Sequence, residues 1–143
     1  MYQHTQSGTV TRFAALGGVV AASFLLLMIG ARPALWILLV VALLGVLAMS
    51  SLTVEVDQER LKFWFGPGWF GRSVPLRDIR SWTVVRNPWW YGWGIHLTPR
   101  GWLYNVGGRE AVELELAGGG RLRVGTDEPE RLCESLTILK GRA

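Results

Sequence analysis

Charged side chains are almost missing from the first 51 of this chain's 143 residues, where only Arg12 and Arg32 occur. The other 13 basic residues and all 11 acidic ones lie in 52–143. Cysteine is nearly absent too. The single Cys133 excludes an intramolecular disulfide. Two histidines, His4 and His96, leave too few imidazoles for most histidine-based metal sites. No long block of one charge sign exists. The net charge of +4 therefore splits into +2 from the front and +2 from a nearly balanced back, and nucleic acid is not an expected partner. Low apolar content is also lacking. Half of the chain is hydrophobic and 18% is charged, which excludes a disordered chain.

Two long apolar runs are present, 13–30 and 34–51, each 18 residues without a charge. As helices they are about 27 Å long, close to the hydrocarbon thickness of a bilayer. The first holds nine Leu, Ile, Val or Phe residues and the second ten. Each run therefore gains roughly 3–6 kcal/mol towards insertion. The expectation is a transmembrane hairpin. A cleaved signal peptide fits poorly, because a polar N-terminal tail, 1–12, precedes the first run and a second run follows at once. A core hairpin of a soluble protein would need a further layer of comparable size around it. A re-entrant hairpin competes more closely, because both runs are short for a span. Arg60, Lys62, Arg72, Arg77 and Arg80 follow the second run, whereas the tip carries Arg32 alone. The positive-inside rule then puts both termini in the cytoplasm.

From Leu52 the apolar period becomes two. Leu52, Val54 and Val56 alternate with polar residues, as do Leu61, Phe63 and Phe65. Turn signals recur every eight to twelve residues, which predicts a small antiparallel sandwich or barrel of about eight strands. Ser73–Leu76 is the weakest strand and reads as an edge fragment. One hairpin can be set in register. Val112 faces Val124 and Leu114 faces Leu122 on one side, while Glu113 faces Arg123 and Glu115 faces Arg121 on the other. A helix is predicted over about 128–140. Asp127 and Glu130 could form its capping box, and Leu132, Leu136 and Leu139 its apolar side. Cys133 is expected at that contact.

Gly92-Trp93-Gly94-Ile95-His96-Leu97-Thr98, Gly101–Val106, Ala111–Leu114 and Val124–Pro129 lie among strands closed by one C-terminal amphipathic helix. These stretches and that layout resemble the pleckstrin-homology (PH) architecture. With the upstream hairpin, about 130 residues resemble the small membrane-anchored PH-like proteins of bacteria. The resemblance implies an α+β membrane protein with a PH-like domain at 52–143, in the bacterial inner membrane as a multi-pass protein. It implies a fold and no activity. Eukaryotic phosphoinositide-binding PH domains use Lys or Arg of the first hairpin loop. That loop is Asp57-Gln58-Glu59 in this chain, so no such residues are carried over.

Candidate chemistry is sparse. Gly66-Pro67-Gly68-Trp69-Phe70-Gly71 fits G-x-G-x-x-G in spelling, but strands are expected on both sides, whereas a nucleotide loop needs a helix after it. His96 has no second ligand or base beside it, and Cys133 has no base. No catalytic, cofactor-binding or metal residue is assigned, and enzyme function is not expected. The sharper feature is aromatic: Trp89, Trp90, Tyr91 and Trp93, with Arg72, Arg77, Arg80 and Arg86 upstream. Trp and Tyr favour membrane interfaces. The competing reading is that these rings plug the open end of a barrel and that the arginines form a solvated face. The expected role is a binding or scaffolding module that engages membrane lipids, a protein partner or its own copies. The runner-up role is an accessory subunit of a larger membrane complex.

Overall fold

A computed structural model describes residues 1–141. The chain is α+β, with an apolar helical hairpin, two sheets and a C-terminal helix. The first sheet has the order β1 (Tyr2–Ser7), β2 (Ser51–Val56), β3 (Arg60–Phe65), β4 (Phe70–Pro75). Between β1 and β2 the chain runs out through α1 (Thr9–Met28) and returns through α2 (Pro33–Ala48). The second sheet contains β5 (Ile79–Arg86), β6 (Gly94–Thr98), β7 (Gly101–Asn105), β8 (Glu110–Leu116) and β9 (Arg121–Gly125), in the order β5-β8-β9-β7-β6. Helix α3 (Pro129–Lys140) follows.

Several expectations need correction. Residues 1–12 are not a tail. Tyr2–Ser7 pairs antiparallel with β2 along its whole length, from Tyr2 opposite Val56 to Ser7 opposite Ser51. The β-domain is therefore wider than 52–143, and the helical hairpin is an insertion between its first two strands. The helices are also shifted from 13–30 and 34–51. Helix α1 begins at Thr9, and α2 ends at Ala48 because Ser51 already belongs to β2. The sandwich is not wholly antiparallel, since β7 and β9 run parallel. The weak segment near Ser73 is β4, an edge strand as expected.

The alternation of apolar residues builds the core. Leu52, Val54, Val56, Leu61, Phe63 and Phe65 from the first sheet meet Val112, Leu114, Leu122 and Val124 from the second. Each such side chain contributes roughly 1.5–3 kcal/mol when fully buried. Tyr104 edges onto the Phe63 ring with centroids 4.8 Å apart. The β8–β9 register is the expected one, including Glu113 opposite Arg123 and Glu115 opposite Arg121. The charges pair differently. Glu113 Oε2 accepts from Arg123 Nε at 2.7 Å and also draws Arg121 to 3.9 Å, while Glu115 accepts from the Ser81 hydroxyl.

Helix α3 buries Leu132, Leu136 and Leu139 against the core, with Cys133 beside them. Burial raises the Cys133 thiol pKa and holds it protonated. The expected capping box does not form. Asp127 instead accepts from His4 Nε2 at 2.7 Å, and the Thr126 hydroxyl accepts the Glu128 N–H. Strand β1 thus also ties down the start of α3.

In the hairpin, no residue of α1 or α2 is buried. A core hairpin of a soluble protein would be mostly covered. Helix α1, with 20 residues, is long and apolar enough to cross a membrane, whereas α2 is shorter at 16 residues.

A candidate interface at the base of the helical hairpin

The registers give the β-domain two distinct ends. Ser7, Ser51, Phe65, Phe70, Arg86, Gly94, Asn105, Glu110 and Gly125 mark the hairpin end. Val56, Arg60, Pro75, Ile79, Leu116 and Arg121 mark the far end, about 20 Å away along a six-residue strand.

The hairpin base is fixed tightly to the domain. The Gly8 N–H donates to Ser50 O at 2.7 Å. The Thr11 hydroxyl donates to Val106 O, Arg12 Nε to the Ser50 hydroxyl, and Gln6 Nε2 to Gly107 O. A Cβ at position 8 would lie 2.7 Å from Val106 O, so only glycine lets the chain turn there. Gly66, at φ +51°, likewise seats the β3–β4 turn directly on the Ala48 carbonyl at the end of α2.

Two aromatic loops surround this base. One is the β3–β4 turn, whose tip presents Trp69, 75% exposed, and Phe70. The other is 87–93, where Trp89 is 75%, Trp90 67% and Trp93 44% exposed and Tyr91 is half-buried. These rings stand outside the core and do not plug it. Trp89, Trp90 and Tyr91 stack edge to face, at 6.0 and 6.4 Å between centroids.

The 87–93 loop is held from beneath. Asn87 and Arg109 exchange bonds: the Asn87 N–H donates to Arg109 O at 2.6 Å, and Arg109 Nε to Asn87 O at 3.1 Å. Asn105 Nδ2 donates to Gly92 O, and His96 Nε2 meets Trp93 O. Arg123, 5% exposed, joins Glu113 through Nε and donates from Nη1 to Asn87 Oδ1 at 2.8 Å. A buried arginine, paired with the part-buried Glu113, is therefore the pedestal of the loop.

The eight residues singled out from the sequence do not form one patch. Trp89, Trp90, Tyr91, Trp93 and Arg86 lie together at the hairpin end. Arg72 lies midway along the edge strand β4. Arg77 and Arg80 lie at the far end, where Arg77 approaches Asp78 at 3.8 Å. Proximity in sequence misled because β5 carries the chain across the whole domain between Arg80 and Arg86. Sequence reasoning missed Trp69, Phe70, Val10 and Arg109. A signal was present for Trp69 and Phe70, two large aromatics at a Gly-Pro-Gly turn. None was present for Val10 and Arg109, which only tertiary folding brings near the tryptophans.

The acidic first loop lies at the far end. Asp57 accepts the Glu59 and Arg60 N–H groups and the Lys62 ammonium, the last at 2.8 Å. Lys62 first, and then those N–H groups, hold its carboxyl down at about 2. Gly66–Gly71 lies between two strands, without the helix a nucleotide loop needs. Among the described residues, no three His, Cys, Asp or Glu side chains gather as a metal site would require.

No protein-family model, no curated protein and no solved structure matches this chain.

Proposed function

We propose that the chain is a bacterial inner-membrane anchor carrying a PH-like, non-enzymatic binding module whose hairpin end rests on the cytoplasmic leaflet. In this reading both helices span, and both termini are cytoplasmic. The short α2 reaches across by local thinning of the bilayer, with Trp36 near its outer end. Two sheets and a C-terminal helix support the PH likeness, while the parallel β7–β9 pair departs from an antiparallel PH-like sandwich.

One observation carries the leaflet contact. The exposed Trp69, Phe70, Trp89, Trp90 and Trp93 ring the point from which both apolar helices leave the domain. A bilayer that takes up the hairpin meets those rings at headgroup depth. Indole and phenol rings gain there, because their apolar bodies leave water while their polar edges stay hydrated. Tethering makes weak contacts sufficient.

The test uses the full chain reconstituted in vesicles. Lipids brominated near the headgroup should quench tryptophan fluorescence more than lipids brominated near the chain terminus. Trp89→Ala with Trp90→Ala should remove much of that shallow quenching and leave the thermal midpoint within a few degrees. Equal quenching at both depths in the parent chain, or no effect of the double change, would reject the leaflet contact and favour a protein partner for this loop.

A further inference from the structure

Between the first turn of α1 and the 87–93 loop lies a cleft of about 260 Å³. Its walls include Val10, Trp89, Trp93, Asn87 and Arg109, and among the described residues no carboxylate lines it. Resting on the leaflet reading above, we infer that this cleft is a binding site for the phosphate headgroup of one anionic phospholipid. Three features point to that ligand. Arg109 uses only Nε within the protein, for Asn87 O, and forms no ion pair among the described residues. Its terminal guanidinium nitrogens are thus left for a phosphate, which the planar group can grip at two oxygens. Asn87 lines the same cleft and is only 2% exposed, and its buried Nδ2 has no hydrogen-bond partner. Val10 opens the cleft onto α1, whose exposed Phe13 and Leu16 continue an apolar track along which an acyl chain can lie. The volume suits a headgroup and not a whole lipid, so the chains must stay outside, in the bilayer. An acidic lipid is favoured over a zwitterionic one because the walls carry the Arg109 guanidinium and no carboxylate to offset it among the described residues. Any cation–π hold of Trp89 or Trp93 on a choline is weighed directly by the phosphatidylcholine comparison below.

The experiment uses the full chain, delipidated in mild detergent, and follows tryptophan emission during titration with dihexanoyl phosphatidylglycerol. Binding should saturate at one lipid per chain and be at least tenfold tighter than for dihexanoyl phosphatidylcholine. Arg109→Gln should weaken it at least tenfold, and Arg77→Gln at the far end should not. Because Arg109 also braces Asn87, Val10→Trp supplies a second variant that fills the cleft and keeps the charge; it should block binding with an unchanged thermal midpoint. Equal affinity for the two lipids, or full binding by Val10→Trp, would overturn the inference. Displacement of the lipid by inorganic phosphate at the same concentration would overturn the lipid assignment in favour of a free-phosphate site. The titration contains no bilayer, so its failure leaves the vesicle-quenching result standing, and the reverse holds as well.

Discussion

Arg123 shows how a single buried charge positions an exposed loop. Its guanidinium bridges Glu113 on β8 and Asn87 at the start of the aromatic loop. Truncation would leave the part-buried Glu113 carboxylate with Arg121 alone, at 3.9 Å, and would unpair the Asn87 amide oxygen. The loss should stay below the roughly 3–5 kcal/mol of breaking a fully buried pair on one side. Arg123→Ala should therefore lower the thermal midpoint in detergent, and Arg123→Met with Glu113→Leu should recover only part of the loss, because the buried Asn87 amide oxygen stays unpaired. A single change that leaves the midpoint unaltered would show that the pedestal has no role. Asp57 gives the pH dependence. Its carboxyl is lowered from 3.8 to about 2 in the folded chain, so the folded state binds fewer protons than the unfolded state between those values. The stability this contributes is complete above about pH 4 and is lost as pH falls towards 2. Asp57→Asn should show a smaller drop in midpoint over that window than the parent chain. The difference should shrink in salt, because the pair is solvent-facing. The alternation at Leu52–Val56 and Leu61–Phe65 and the β8–β9 register were legible in the sequence, since a period of two with complementary charges admits one pairing. The Arg123–Asn87 bond was not, because 36 residues separate its ends.

At the scale of elements, the insertion of the hairpin between β1 and β2 changes what counts as the domain. Tyr2 packs against the core, and burial pushes its hydroxyl up to about 12. A fragment starting at Leu52 would leave β2 as a bare edge and lose the His4–Asp127 bond. Joining Ser7 to Ser51 through an Asn-Gly turn, with 8–50 removed, should give a soluble β-domain, because that dipeptide suits a two-residue hairpin. Its circular dichroism should show mainly strand with one helix. Its urea midpoint should exceed that of 52–143 alone. Equal midpoints would mean that β1 adds nothing. Strand β1 was illegible because Tyr-Gln-His-Thr-Gln-Ser is polar at nearly every position, and only Gln6 in it is buried. Its strand form comes from the ladder that β2 offers.

For the whole molecule, the consequence is mechanical. Both legs of the hairpin leave through one narrow neck formed by Gly8, Ser50 and the Val106–Gly107 backbone, with Gly66 packed on Ala48. The domain cannot swing freely, so the end that carries the two aromatic loops is held beside the base of the helices. The topology can be checked at Gly118, where an added Cβ meets open space. With Gly118→Cys and Cys133→Ser, an impermeant maleimide should miss the thiol in intact cells and label it after lysis. Labelling in intact cells would overturn a cytoplasmic domain. The sequence by itself determined the two apolar runs, the strand-rich back half, the C-terminal helix and the presence of an aromatic loop, because these follow from local composition and period. Tertiary structure alone decided that Tyr2–Ser7 closes the first sheet, that Trp69 and Phe70 join Trp89, Trp90 and Trp93 around the hairpin base, and that Arg77 and Arg80 go to the opposite end. Those placements depend on which strands pair across tens of residues, and pairing is selected by burial of the whole core, which no local window of residues contains.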